Sequence, residues 1–169
     1  MQANPERVND RDEGGFTPLY VAVWFKNSYS LTVWLLDEKG ADVNATMSSR
    51  CAPLHSAYFF AMLTTLLNRG ADPTIRDNSG WTPLMMQMLS GCAEMAARLL
   101  QDLRARGSLN VQSRRGGNTA LHIVCRPEIE DVTIPIVHVL LQEGANSALT
   151  NRHASRRTST YESLLLRHT

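Results

Sequence analysis

The 169-residue sequence predicts an all-α repeat fold, a solenoid of helix-turn-helix pairs joined by β-turn or hairpin fingers. Three observations predict it. The first is the stretch Gly70 to Leu84, which reads as helix end, turn and helix start. Gly70 can close a helix in the left-handed conformation, Asp77-Asn78-Ser79-Gly80 is a turn sequence, and Thr82-Pro83 pairs an N-cap with a proline suited to the first helical position. The second is that this connector recurs at constant length: Gly40 to Ala52, Gly70 to Thr82 and Gly107 to Thr119 are each 12 residues. Counting back 12 from Thr17 reaches Pro5, and Val8-Asn9 then falls where Val43-Asn44 falls. The third is that the intervening segments vary, from 18 residues (Ala52 to Gly70) to 25 (Thr82 to Gly107). A stack in which each repeat touches only its neighbours absorbs length change in this way.

The elements follow in order. Residues 1–16 read as the end of a repeat whose helices are missing, so the chain is expected to be cut from a longer one. The first copy (17–49) has helices from Pro18 to about Phe25 and from about Ser30 to Lys39, with Leu31, Val33, Trp34 and Leu35 as the apolar face of the second. The second copy (50–79) places helices at Pro53–Phe59 and Met62–Arg69, with Leu63, Leu66 and Leu67 facing the core. It also departs from the others: Ala52 stands in the threonine position and Arg50 in that of the turn glycine. The third copy (80–116) has helices at Pro83–Leu89 and Ala93–Arg106 around a Ser90-Gly91 break. The fourth (117–153) starts a helix at Ala120 and a second at about Ile134, with Pro135 in its first turn, where proline is tolerated. Residues 154–169 are expected to form a capping helix, since Ser159-Thr160-Tyr161-Glu162 is a capping box ahead of Leu164-Leu165-Leu166.

These residues resemble the ankyrin repeat family. The Thr-Pro-Leu-His type of helix start, the paired leucines and the Gly-Ala-Asp-x-Asn helix end recur over roughly residues 5 to 155, near that family's period of about 33. The resemblance implies a non-catalytic adaptor or scaffold that binds a protein or peptide on its concave face. It also implies that the residue before each Thr-Pro pair and the two residues ending each first helix point into the groove. Here those are Phe16, Cys51, Trp81 and Asn118, then Trp24-Phe25, Phe59-Phe60, Leu89-Ser90 and Arg126-Pro127. Phe16, Trp24, Phe25, Phe59, Phe60 and Trp81 are six of the eleven aromatics, so the groove is expected to be aromatic and concentrated in the first three copies. Asn78 and Arg115 of the connectors and Asn118 complete the expected partner-binding set.

Composition narrows the classes. Hydrophobic content of 43% with 20% charged residues suits a globular chain, and a net charge of +1 exerts no global pull toward nucleic acid or membrane. No run approaches 18 apolar residues, so no membrane span is expected. Cys51, Cys92 and Cys125 are odd in number and widely spaced, which fits reduced thiols in an intracellular, cytoplasmic or nuclear, protein. No phosphate loop, nucleophile elbow or metal-ligand spacing occurs, so neither catalysis nor a cofactor is expected. His55 and His122 occupy the Thr-Pro-Leu-His slot, where an imidazole serves the backbone of the turns.

A rival reading is a substrate-recognition or host-targeting effector module of a larger chain, for instance in a ubiquitin pathway. A weaker one is nucleic-acid binding through Arg152, Arg156, Arg157 and Arg167 near the C-terminus. Two modification sites are expected. Ser159 follows Arg156-Arg157-Thr158, a basophilic kinase pattern, and Asn44 sits in a Leu36…Asp42-Val43-Asn44 context similar to hydroxylated asparagines of the family. The chain is expected to be monomeric.

Overall fold

The computed structural model describes residues 7–24, 28–90, 93–107, 109–125 and 133–152. Among them lie seven α-helices and no strand: α1 (Pro18–Trp24), α2 (Tyr29–Asp37), α3 (Phe60–Asn68), α4 (Pro83–Ser90), α5 (Ala93–Arg106), α6 (Ala120–Val124) and α7 (Thr133–Gln142). A 3-10 turn at Pro53–Ser56 stands where the second copy's first helix was expected. The chain forms two compact units that divide between Asn78 and Ser79. In the first, α1 packs on α2 and on the 3-10 turn, and that turn packs on α3. In the second, α4 packs on α5 and α6, while α7 packs on α5 and α6.

The helix starts form for the local reasons read in the sequence. The Thr17 hydroxyl accepts from Tyr20 N–H at 3.2 Å, Thr82 from Met85 N–H at 3.4 Å and Thr119 from His122 N–H at 3.4 Å. Each threonine satisfies an N–H that the first turn leaves unpaired. Ala52 has no hydroxyl to offer. His55 N–H turns instead to the Ala52 carbonyl at 3.0 Å, a tighter i to i−3 closure. The missing cap and the shortest inter-connector segment together leave one 3-10 turn where Pro53–Phe59 was expected to be helical, and α3 begins at Phe60 rather than Met62.

At the other end, Ala41 N–H reaches the Leu35 carbonyl at 2.9 Å, Ala71 that of Leu66 at 3.0 Å and Ala145 that of Leu140 at 2.9 Å. These bonds return over glycines at positive φ (65° at Gly40, 85° at Gly70, 96° at Gly144), which satisfies helix carbonyls that would otherwise be orphaned.

The connectors then stack on one another through asparagine. Asn9 Oδ1 accepts from Asp42 N–H at 2.8 Å. Asn44 accepts from Asp72 N–H at 2.8 Å and donates to the Gly70 carbonyl at 3.2 Å. Asn110 repeats this with Asn146 N–H and the Gly144 carbonyl. Both ends of the Asn44 amide, the expected hydroxylation site, are therefore engaged.

The core is aliphatic: Leu19, Leu54, Leu63 and Leu66 in the first unit, Leu84, Met88, Leu99 and Ile123 in the second. One expectation fails here. Leu35 of α2 is buried, but Leu31 and Trp34 are 46% and 45% exposed, and Leu67 of α3 is only half-buried. Thr32 and Leu35 are the buried positions of α2, while Leu31, one turn before Leu35, and Trp34 stay at the surface. Lys39 Nζ sits 4.7 Å from the centre of the Trp34 ring, a cation–π contact at the surface. On the outer helices, Arg69 grips Asp37 with two bonds of 2.6 Å, and that hydrogen bonding holds the Asp37 carboxyl below its usual range. Leu164–Leu166 and Ser159 of the expected capping helix lie outside the described residues.

Candidate partner-binding surface

The surface begins with a spacing of four. Phe16, Tyr20 and Trp24 project from one side of α1 and its entrance, while Leu19, Ala22 and Val23 fill the core. Phe16 is pinned by its backbone: its N–H donates to Asp12 Oδ1 at 2.8 Å and its carbonyl accepts from Asp12 N–H at 3.1 Å. The Phe16 and Trp24 rings stack within 8° of parallel at 5.8 Å, and Tyr20 lies tilted at 5.6 Å from Phe16 and edge-on at 6.4 Å from Trp24. These separations fall in the range favoured by aromatic pairs, each contributing about 0.5–1.5 kcal/mol beyond area burial.

Tyr20 anchors the group. It is buried, and its hydroxyl shares a 2.8 Å hydrogen bond with Ser56 Oγ of the 3-10 turn. Burial pushes its pKa up, against the Ser56 bond, and the nearby Cys51 and Tyr58 add to the rise. The phenol stays neutral and the ladder stays tied to the second copy. Trp24 is nevertheless 51% exposed. A large indole is thus presented to solvent while its neighbours already hold it.

The shortened second copy adds more. Tyr58 N–H closes a turn on the Ser56 carbonyl at 3.1 Å, and Phe59 is extended (φ −122°, ψ 139°) ahead of α3. Tyr58, Phe59 and Phe60 are consequently all exposed, Phe59 by 48%. Had the expected helix formed through Phe59, part of this run would lie on helical positions instead.

The other expected residues divide by unit. Asn78, in the first, is exposed, with its N–H on the Ser49 carbonyl and Nδ2 on that of Ser48. Cys51 is half-buried, and burial raises its thiol pKa. In the second unit, Trp81 is half-buried, Leu89 and Arg115 are exposed, and Asn118 is half-buried with Oδ1 accepting from Asn151 at 2.6 Å. Phe25, Arg126 and Pro127 lie outside the described residues. The structure thus brings Phe16 and Trp24 together with Tyr20 between them and Tyr58 near Tyr20, two residues that sequence reasoning missed; Leu31 and Trp34, expected in the core, are exposed on α2. The spacing of four from Phe16 through Tyr20 to Trp24 was the available signal for Tyr20.

The histidines serve the turns, as read in the sequence. Ala52 N–H donates to His55 Nδ1 at 3.1 Å. His122 Nδ1 meets the Thr119 hydroxyl at 2.8 Å, burial lowers its pKa, and a hydrogen bond to the Leu149 backbone opposes that shift. Among the described residues no group of three or more His, Cys, Asp or Glu side chains is placed to hold a metal. Nor is any described helix long and apolar enough to cross a membrane.

A stack of helix pairs with asparagine-linked turns is a repeat module, and comparison with known proteins identifies which. The family profile described as ankyrin repeats (many copies) matches residues 1–57, and that described as ankyrin repeats (3 copies) matches residues 52–152. The chain belongs to the ankyrin-repeat family. It is similar to the human B-cell lymphoma 3 protein, 30% identical over 152 residues, covering 86% of this chain and 32% of that one. It is also similar to the human BCL-6 corepressor-like protein 1, 32% identical over 109 residues (63% of this chain, 6% of that one). The yeast target of rapamycin complex 2 subunit AVO2 is 26% identical over 113 residues (63% and 26%). The chain spans a third or less of the length of these curated relatives.

Proposed function

We propose that the chain is a non-catalytic protein-interaction module that holds a protein or peptide partner on the aromatic surface of its first unit. The observation that carries this is Trp24, half exposed yet stacked on Phe16 and braced by Tyr20. Binding orders side chains at a cost of roughly 0.5–1.5 kcal/mol each, and a ring already held by its neighbours avoids most of it. Tyr58, Phe59 and Phe60 extend the surface, and tryptophan and tyrosine are the residues most enriched at interface hot spots. One relative's name makes it a subunit of a complex and another's a corepressor-like protein, in keeping with a chain that acts through other proteins. The small share of each relative that is matched favours a recognition module working within a larger chain. The three scattered cysteines favour an intracellular setting.

The test is selection of peptides from a displayed random library on the purified chain, followed by titration of the winners. Trp24→Ala and Phe59→Ala should each weaken binding roughly 30-fold, the equivalent of about 2 kcal/mol. The control His138→Ala, on the exposed side of α7, should leave it unchanged. Winners that bind both aromatic variants within threefold of the parent would move the site elsewhere.

A further inference from the structure

The connectors of the two units differ in charge. Residues 1–78 hold seven Lys and Arg against nine Asp and Glu, whereas residues 79–169 hold ten against seven. Within the second unit's connectors, residues 107–119 and 144–152, there are three arginines and no carboxylate. Arg115 and Arg152 stand at the same register, eight residues after Gly107 and Gly144. The first unit has Ser48 and Asn78 at that register. Stacking is direct at this point: Arg152 N–H donates to the Gly116 carbonyl at 2.9 Å, and Asn151 Nδ2 reaches Asn118 Oδ1 at 2.6 Å. The turn that carries Arg152 is therefore bonded to the residue next to Arg115. Arg114, Arg115 and Arg152 are all exposed, and among the described residues none of them makes an ion pair.

From this register we infer that Arg115 and Arg152, with Arg114 beside them, form a docking ridge for an extended acidic segment of a partner protein. An extended chain sets side chains i and i+2 on one face about 7 Å apart. Carboxylates on one face of such a segment would reach two guanidinium groups carried by hydrogen-bonded neighbouring turns, each able to grip a carboxylate with two parallel hydrogen bonds. The same arginines suit nucleic acid less well. Three cations release few counterions, and these two connectors contain no Phe, Tyr or Trp on which a base would stack. The ridge lies in the second unit and is independent of the Trp24 surface, so a partner that engages both needs an acidic stretch and an apolar one.

The test uses the full chain and a fluorescein-labelled peptide with glutamate at alternate positions, read by anisotropy at low and physiological salt. Its glutamine counterpart and an oligothymidine of equal charge are run beside it. The acidic peptide should bind at least tenfold tighter than the glutamine peptide. That gain should vanish in Arg115→Gln/Arg152→Gln and fall partway in Arg115→Lys/Arg152→Lys, because lysine lacks the fork. Trp24→Ala should leave it intact, so failure here and failure of the aromatic surface are read separately. Circular dichroism confirms that the exposed-site variants are folded. Equal affinity for the glutamine peptide overturns the inference, as does undiminished binding in the double glutamine variant or tighter binding of oligothymidine than of the acidic peptide.

Discussion

Arg50 sits at φ 63°, the only non-glycine at positive φ among the described residues. Its turn closes as the first connector's does: Arg50 N–H meets the Met47 carbonyl at 2.8 Å and Met47 N–H that of Cys51 at 3.0 Å, while Gly15 N–H meets Asp12 and Asp12 N–H meets Phe16 at 2.9 and 3.1 Å. Gly15, Gly80 and Gly117 hold the position elsewhere, at φ 77°, 77° and 65°. An L-residue in this conformation costs about 1–2 kcal/mol, whereas glycine gives back about 0.5–1 kcal/mol through its freer unfolded chain. Arg50→Gly should therefore stabilise by about 0.5–1 kcal/mol, and the exposed guanidinium makes no ion pair among the described residues to offset that. The urea midpoint should rise with an unchanged slope, and Tm should rise by roughly 1–4 °C for a chain of this size. Arg50→Ala keeps the strain and should change little. Gly117→Ala is the mirror experiment. Its added Cβ would meet nothing closer than 3.6 Å, so the expected net loss of about 0.5–1 kcal/mol is backbone strain less the gain from a stiffer unfolded chain. A lower midpoint for Arg50→Gly, or an equal gain for Arg50→Ala, would refute the reasoning.

Three further outcomes are expected. Asn44→Ala strips the Gly70 carbonyl and Asp72 N–H of their partner and should cost about 1–2 kcal/mol in urea denaturation; a change under about 0.3 kcal/mol would mean water replaces both bonds. Thr32→Val removes a fully buried hydroxyl that finds no partner among the described residues, and should stabilise by about 1 kcal/mol if the methyl fits the same space. His122 is held neutral by burial, with its pKa below the unfolded value of about 6.5, so its contribution is intact above that pH. As pH falls through 6.5 the unfolded chain takes up a proton first, and stability declines. Urea midpoints at pH 7.5 and 5.5 should differ more for the parent than for His122→Asn, and parallel pH profiles would contradict this.

The sequence by itself determined everything that acts over a few residues. Threonine caps and Thr-Pro starts at Thr17 and Thr82, glycine helix ends at Gly40, Gly70 and Gly144, and the constant connector are consequences of local hydrogen bonding and permitted φ, so they were legible and the repeat family with them. Only the tertiary structure decided which faces of the helices met. Leu31 and Trp34 of α2 are apolar like Leu35, but packing buries Leu35 and leaves the other two in solvent. The second copy lost its first helix because a missing hydroxyl at Ala52 and a short segment acted together, and their sum, rather than either residue, exposes Tyr58, Phe59 and Phe60. Tyr20 occupies a slot that holds histidine in two other copies, and its role emerged only when the next copy brought Ser56 to its hydroxyl. Local rules set the threonine-capped starts and glycine-closed ends, because capping and turn energies are settled within one or two turns of chain, while in the second copy, without its cap, the starts fell elsewhere. Burial is shared between copies, so which aromatic is core and which is surface is settled only when neighbouring repeats stack.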